Sequence, residues 1–475
     1  MNWYKSLFKG ITGSSEFKQA LRNKFKIIIA KVYHICVFGS GKSSVYLLYL
    51  LQENTCVEGF KLTIIDPKWQ QLPKKCKQDS KATFLSLDLL KDSEKIALVV
   101  KNQDLVVSLL PPSLHAVLAR ICLKYTTHFL SASYVSSQMQ ELHTEAKNKR
   151  LLFLNEMGLD PGLDHISVLE WIDRLKSQKA QILALSSHTG GLIAAPTGKY
   201  WDYKFTWNSR NVIEAGKSGG VFLKDFKSCY LPYEQLFAKS TPLQIQGQDF
   251  ETYANRDSIP YLEKYKLQSI SYLYRGTLRH PDFCKAWNEL IALGLTDTNK
   301  VLHFSVQSTT YDFLSYFLER NPVKARAFQE KYCQNFFGLK DKCAQIGFTS
   351  TSAMILPLLK GTAADILHEI LKIAWKLTPE DRDLVVMRHD ISFEIHQKKY
   401  RATRMLRVFG EDIYFTAMSK TVGVPLYLAI LAFKNGKYKG IYGVHIPNSS
   451  PLYIPIWKYL PNYGIDFIDE LSDSI

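Results

Sequence analysis

Gly39-Ser40-Gly41-Lys42-Ser43-Ser44 follows the apolar run Tyr33-His34-Ile35-Cys36-Val37-Phe38 and precedes Val45, Leu48 and Leu51 at helical spacing. These residue types in this order suit a bound pyrophosphate. Gly39 permits a tight turn, Gly41 lets backbone N–H groups approach the anion, and the helix that follows offers its positive N-terminal end. Lys42 and Ser43 belong to the same phosphate-binding turn. Ser44 replaces the third glycine of a G-x-G-x-x-G fingerprint and is small enough for close helix–strand packing. A Walker A reading of Gly41-Lys42-Ser43 fails, because that loop needs a glycine five residues before Gly41, where Cys36 stands. The run Lys61-Leu62-Thr63-Ile64-Ile65 ends in Asp66, about 22 residues after Ser44, where such folds place the carboxylate that accepts both ribose hydroxyls. An acid there repels a 2′-phosphate. The expected cofactor is therefore NAD, with Lys68 close enough to admit NADP.

The elements that must hold these groups repeat a strand–helix rhythm. After Asp66 come Ala82-Thr83-Phe84-Leu85-Ser86, then Asp104-Leu105-Val106-Val107-Ser108-Leu109-Leu110 running into Pro111-Pro112, then His128-Phe129-Leu130-Ser131-Ala132-Ser133-Tyr134. Leu151-Leu152-Phe153-Leu154-Asn155 follows a helical stretch over 137–149. This rhythm predicts an α/β protein with a doubly wound, Rossmann-type parallel sheet. Ligands gather at the carboxyl ends of such strands. Ser108, Leu110, Pro111, Ser133, Tyr134 and Asp160 are thereby expected around a nicotinamide, and Tyr134 and Asp160 are the candidate catalytic groups, able to handle a proton or bind an amine. Asp160-Pro161-Gly162 also reads as a turn and helix start.

Composition bounds the rest. A chain of 475 residues needs more than one domain, and its apolar and charged fractions are those of an ordinary globular protein. The net charge of +16 comes from scattered Lys and Arg with no basic block or zinc signature, which favours anionic small substrates over nucleic acid. Eight cysteines without a C-x-x-C pair suit reduced thiols in the cytoplasm, and no metal-ligand spacing is present. Residues 1–30 form a basic extension. Lys31 interrupts Ile27-Ile28-Ile29-Ala30, so neither a signal peptide nor a membrane span fits, leaving a transit peptide or a dispensable extension.

Several longer motifs then carry a resemblance. Ser133-Tyr134-Val135-Ser136, the run Asn155-Glu156-Met157-Gly158-Leu159-Asp160-Pro161-Gly162-Leu163-Asp164-His165, Asn255-Arg256-Asp257-Ser258, Arg275-Gly276-Thr277-Leu278-Arg279 and Thr416-Ala417-Met418-Ser419-Lys420-Thr421-Val422-Gly423 occur in this order. Together they resemble the glutamate-forming saccharopine dehydrogenases, over nearly all of the chain from Val32 to Phe467. The resemblance implies NAD(P)-dependent oxidation of saccharopine to glutamate and 2-aminoadipate 6-semialdehyde, or its reversal, by a homodimer. It also implies that Arg210 and Arg256 clamp carboxylates, that Asn255, Asp257 and Thr277 bond the amino-acid ends, and that Arg275 or Arg279 helps to position them. The family's Ser-Tyr-Cys-Gly-Gly is replaced here by Ser187-His188-Thr189-Gly190-Gly191. His165 and His188 read more simply as hydrogen-bonded structural residues than as bases. A carboxynorspermidine dehydrogenase of polyamine synthesis and a non-catalytic dinucleotide sensor are the competing readings. Some relatives are fused to a lysine–ketoglutarate reductase, for which this chain has no room, so saccharopine is expected from a separate protein.

The resulting layout has a dinucleotide-binding Rossmann domain (31–160 and 412–475), an inserted α/β substrate and dimerisation domain (161–280 and 380–411) and a small helical domain (281–379). Within the insert, Gln181-Ile182-Leu183-Ala184-Leu185-Ser186 reads as a strand, with His188–Gly191 and Lys204–Arg210 on loops. Helical patterns run over 311–319, 324–337 and 364–377, strands over 384–388 and 400–409, and the last helices over 414–434 and 452–463.

Overall fold

The computed structural model describes residues 32–77 and 80–472, so the basic extension over 1–30 lies outside the described residues. Six strands follow one another in the first third: β1 (Tyr33–Phe38), β2 (Phe60–Ile65), β3 (Thr83–Leu85), β4 (Leu105–Ser108), β5 (His128–Ser131) and β6 (Leu152–Leu154). They form one parallel sheet ordered β6-β5-β4-β1-β2-β3, closed at the β6 edge by a seventh strand, Gly443–His445. Near-continuous apolar sequence explains the parallel arrangement. Cys36 to Phe38, Leu62 to Ile65 and Leu105 to Val107 are buried, as strands covered on both faces must be. The strand order reverses between β1 and β4, which places the crevice at their carboxyl ends.

The inserted region builds a mixed nine-stranded sheet together with the strand Ile468–Ser472, which pairs with Lys398–Phe409 and not with the nucleotide sheet expected for 412–475. Its centre is β7 (Gln181–Ile193), parallel to Tyr272–Arg279 on one side and antiparallel to Asp383–Ile395 on the other. The expectation of a loop at His188–Gly191 is overturned, because those residues continue β7. The glycines answer to crowding instead of turning. A Cβ on Gly190 would lie 2.7 Å from Leu278 Cβ, and one on Gly191 would lie 2.4 Å from Met418 Cε. Likewise Ser209 and Arg210 open a short helix, Ser209–Ile213, where a loop was expected. Helices 310–320, 322–333 and 363–374 form a separate aromatic-rich core with Trp201, Trp287 and Trp375.

The helix Ala417–Lys434 returns to the nucleotide sheet and packs on the helix Val45–Glu53. It is long and apolar enough to cross a membrane, but 78% of it is buried inside the fold, in the core that also holds Leu47, Leu48 and Val385. Gly423 allows the approach: a Cβ there would stand 2.6 Å from the Leu47 backbone nitrogen.

Candidate active site

The glycine turn behaves as its sequence suggests. Gly39 has φ +101°, and a Cβ would meet Leu109 O at 2.7 Å, so the β1 and β4 turns touch there. At Gly41 no atom of the described residues lies within 4 Å of where a Cβ would be, leaving an open cradle over the backbone at the helix start. Ser44 is buried and its Oγ donates to Gly41 O at 2.7 Å, which ties the turn from beneath. Ser43 is half-buried in the same turn. The Lys42 ammonium crosses the crevice and donates to Phe205 O at 2.6 Å. Asp66 Oδ2 accepts from Ser40 N at 2.8 Å and Oδ1 from Lys68 N at 2.6 Å, so this carboxylate holds the turn. The cradle fits a dinucleotide pyrophosphate.

Along the same strand ends a second group converges. Glu156 N donates to Ser133 O and Met157 N to Ser131 O, both at 3.1 Å, pinning the segment after β6 to the end of β5. Asn155 N donates to His445 O at 2.9 Å, so the seventh strand steadies it from the other side. This brings Tyr134 OH to 2.7 Å from Asp160 Oδ1. From the inserted sheet Arg275 Nη2 reaches the same oxygen at 2.6 Å, and Asn255 Nδ2 reaches Oδ2 at 3.1 Å. Asn255 and Arg275 are held together by Asn255 N donating to Arg275 O at 2.8 Å.

Arg275 is almost fully buried. Its Nη2 also donates to Asp164 Oδ2 at 2.9 Å, its guanidinium lies 4.2 Å from the Tyr261 ring centroid, and its Nη1 has no hydrogen-bond partner among the described residues. A guanidinium this buried needs its charge answered locally, and Asp160 and Asp164 answer it. Behind it, His165 Nε2 meets Glu156 Oε2 at 2.8 Å and His165 Nδ1 meets Tyr265 OH at 2.7 Å. Burial raises the Asp160 pKa, helped by Asp164 and opposed by Arg275 and the Tyr134 hydrogen bond. Burial likewise carries the Tyr134 phenol well above its ordinary value.

The remaining sequence candidates divide. The exposed Arg256 guanidinium lies 5.1 Å from the Tyr134 ring centroid, on the same ring that Arg275 approaches at 5.8 Å. Ser133 Oγ and Ser108 Oγ both bond to His115, while Leu110 is half-buried and Pro111 exposed at the β4 end. Asp257 Oδ1 accepts from Ile259 N at 2.9 Å, and Thr277 stands opposite Tyr253 in the register of the inserted sheet. Arg210 stands apart from the Asp160 group, its guanidinium engaged by Glu214 and Asp365. Sequence reasoning left Arg275 as an auxiliary and overlooked Asp164, its buried ion-pair partner, and Glu156, the partner of His165 behind it. The signal was an arginine and two acids standing inside otherwise apolar or aromatic runs, where burial demands partners.

An open glycine cradle at a sheet's reversal point, with Tyr134, Asn255 and Arg275 converging on Asp160 near the strand ends, is the arrangement of an oxidoreductase that works with a nicotinamide dinucleotide. The family model described as the saccharopine dehydrogenase NADP binding domain matches residues 35–154, and that described as the saccharopine dehydrogenase C-terminal domain matches residues 158–465. The chain belongs to the saccharopine dehydrogenase family. The saccharopine dehydrogenase (NADP(+), L-glutamate-forming) of Pyricularia oryzae is 30% identical over 457 residues, 91% of this chain and 97% of that protein. The alpha-aminoadipic semialdehyde synthase of Arabidopsis thaliana is 29% identical over 80% of this chain, which spans only 38% of that protein's length. The solved structure of apo saccharopine dehydrogenase (L-Glu forming) from Saccharomyces cerevisiae has a TM-score of 0.77 at 25% identity, covering 93% of this chain and all of that one.

Proposed function

We propose that this protein oxidises saccharopine to L-glutamate and 2-aminoadipate 6-semialdehyde, or runs the reverse reductive condensation. The observation that supports it most is the convergence of Tyr134, Asn255 and Arg275 on the half-buried Asp160 carboxylate, beside the strand ends of the glycine crevice. When bound, the nicotinamide supplies the site that takes or gives the hydride. The chain's own groups do the remainder. Asp160, its pKa raised by burial, is suited to bind the cationic secondary amine and take its proton as hydride leaves the neighbouring carbon. The resulting C=N bond is then split by water, giving the amine of glutamate and the aldehyde. The exposed Arg256 guanidinium beside the Tyr134 ring is suited to orient a substrate carboxylate, while the buried Arg275 holds Asp160 in place, which together fix the reacting carbon in the crevice.

For the cofactor, the names of the matching domain and of the fungal relative favour NADP over the NAD expected from Asp66. The geometry is compatible with that order. Both Asp66 oxygens are engaged by backbone N–H groups of the turn, and the exposed Lys68 follows two residues later. A homodimer and a small amino-acid substrate as partner are parts of the same proposal and rest on family kinship, while a cytoplasmic setting rests on the eight widely spaced cysteines without a C-x-x-C pair.

The test follows reduced-nicotinamide absorbance after saccharopine is added to purified protein, with NADP and NAD assayed separately. Saccharopine-dependent reduction with glutamate among the products, faster with NADP, is the expected result. Dinucleotide binding without reduction by either pair would sink the proposal.

A further inference from the structure

His115 is a buried side chain that the chemistry above leaves unused. It lies in the first turns of the helix Pro112–Lys124 and joins two neighbouring strand ends. Its Nδ1 is 2.8 Å from Ser108 Oγ, the last residue of β4, and its Nε2 is 2.8 Å from Ser133 Oγ, just beyond β5. Burial pushes the imidazole pKa down to about 4, with no charged neighbour among the causes. The ring is therefore neutral at physiological pH, carries one N–H, and must donate from one nitrogen and accept at the other.

Ser108 decides which. It is fully buried, and among the described residues the His115 ring is the partner of its hydroxyl. With the ring proton on Nδ1, Ser108 would only accept, and its own O–H would be buried with no acceptor, a state that folded proteins avoid. Ser108 O–H consequently donates to Nδ1. The ring proton then sits on Nε2 and donates to Ser133 Oγ. Ser133 is half-buried at the strand end, its N–H is taken by Ser131 Oγ at 3.0 Å, and its C=O by Glu156 N. Its hydroxyl proton is spent on neither.

We infer that His115 is a positioning residue that fixes the hydrogen-bond direction of Ser108-His115-Ser133, so that the Ser133 hydroxyl donates into the crevice and selects a carboxylate or amide oxygen there. The opposite tautomer would turn the Ser133 proton back onto the ring and leave only oxygen lone pairs facing the ligand. The identity of that acceptor as part of saccharopine or of the nicotinamide amide rests on the proposed function; the direction of the relay does not.

The test has two arms on the full-length protein. In the first, histidine is labelled with 15N and the His115 signals are assigned by their loss in His115→Gln. A neutral ring protonated at Nε2 between pH 7 and 5 is expected, and an Nδ1–H ring or a charged ring at pH 7 overturns the inference. The second arm is a double-mutant cycle with Ser133→Ala and His115→Gln, read as KM for saccharopine and Kd for NADPH. Each single change should weaken one of these roughly tenfold, as loss of one such hydrogen bond does, and the double variant should be no worse than Ser133→Ala alone. Additive losses, or none, would show that His115 does not act through Ser133. Should saccharopine fail as a substrate, the ring tautomer and the NADPH titration still decide the matter.

Discussion

Asp160 receives hydrogen bonds from a phenol, a guanidinium and an amide, yet it sits where burial and the nearby Asp164 both work against its charge. A carboxylate balanced in this way can exchange a proton with an amine while keeping its place. Asp160→Asn keeps the shape and removes the base, so turnover should fall by about 10²- to 10⁴-fold with dinucleotide affinity unchanged. Steady-state kinetics beside a binding titration would read both, and an unchanged kcat would remove Asp160 from the chemistry. Glu156 lies at the other electrostatic extreme. Burial raises its pKa, but His165, Lys264 and the Val135 N–H outweigh that and hold it at about 2, below the 4.5 of a free glutamate. A carboxyl with a depressed folded value stabilises the fold above pH 4.5 and loses that contribution as pH falls toward 2. The shift corresponds to about 3 kcal/mol. Glu156→Gln should therefore be less stable at pH 7 and lose less stability on acidification, as denaturant unfolding at pH 7 and pH 3 would measure. An unaltered pH slope would contradict the assignment.

At the scale of elements, the contact between the helices Val45–Glu53 and Ala417–Lys434 sets where the glycine turn points. A methyl group at Gly423 would meet backbone atoms of Tyr46 and Leu47, which cannot swing aside. Gly423→Ala should cost about 1–3 kcal/mol by overpacking and weaken dinucleotide binding as well, since the displaced helix begins at the cradle. Thermal unfolding and a dinucleotide titration test the pair of effects; a loss of stability with intact affinity would separate helix from cradle. The same elements show what a sequence can reveal. β1, the glycine turn and Asp66 were legible because apolar run, glycine and acid each have a local physical reason. The strand character of His188–Gly191 was not, because its glycines serve a close approach to Leu278 and Met418, which are far away in sequence. Gly443–His445 was equally hidden, since three residues carry no periodicity. In the site, Tyr134 and Asp160 could be placed from the strand-end rule, whereas the meeting of Arg275 with Asp160 and Asp164 depends on how the inserted sheet docks.

For the molecule as a whole, the chain carries a net charge of +16 and its crevice is proposed to take a substrate with three carboxylates. Such a field raises the encounter rate of anions and is screened beyond roughly 10 Å at 0.1 M salt. The value of kcat/KM for saccharopine should fall as ionic strength rises from 0.02 to 0.5 M, by about threefold or more, while kcat changes little. A flat salt profile would mean that the charge is spread too evenly to steer.

Completion of the first sheet depends on residues far along the chain. β6 is made early, but its partner Gly443–His445 comes about 290 residues later, and its His445 carbonyl braces Asn155 beside the site. During synthesis at about 5–20 residues per second, that edge of a nascent sheet stays bare for roughly 15–60 s. An unpaired strand edge is a template for pairing with another chain, so the interval is a window for misassembly on the ribosome, and one in which a chaperone that shields strand edges would raise the yield of folded protein.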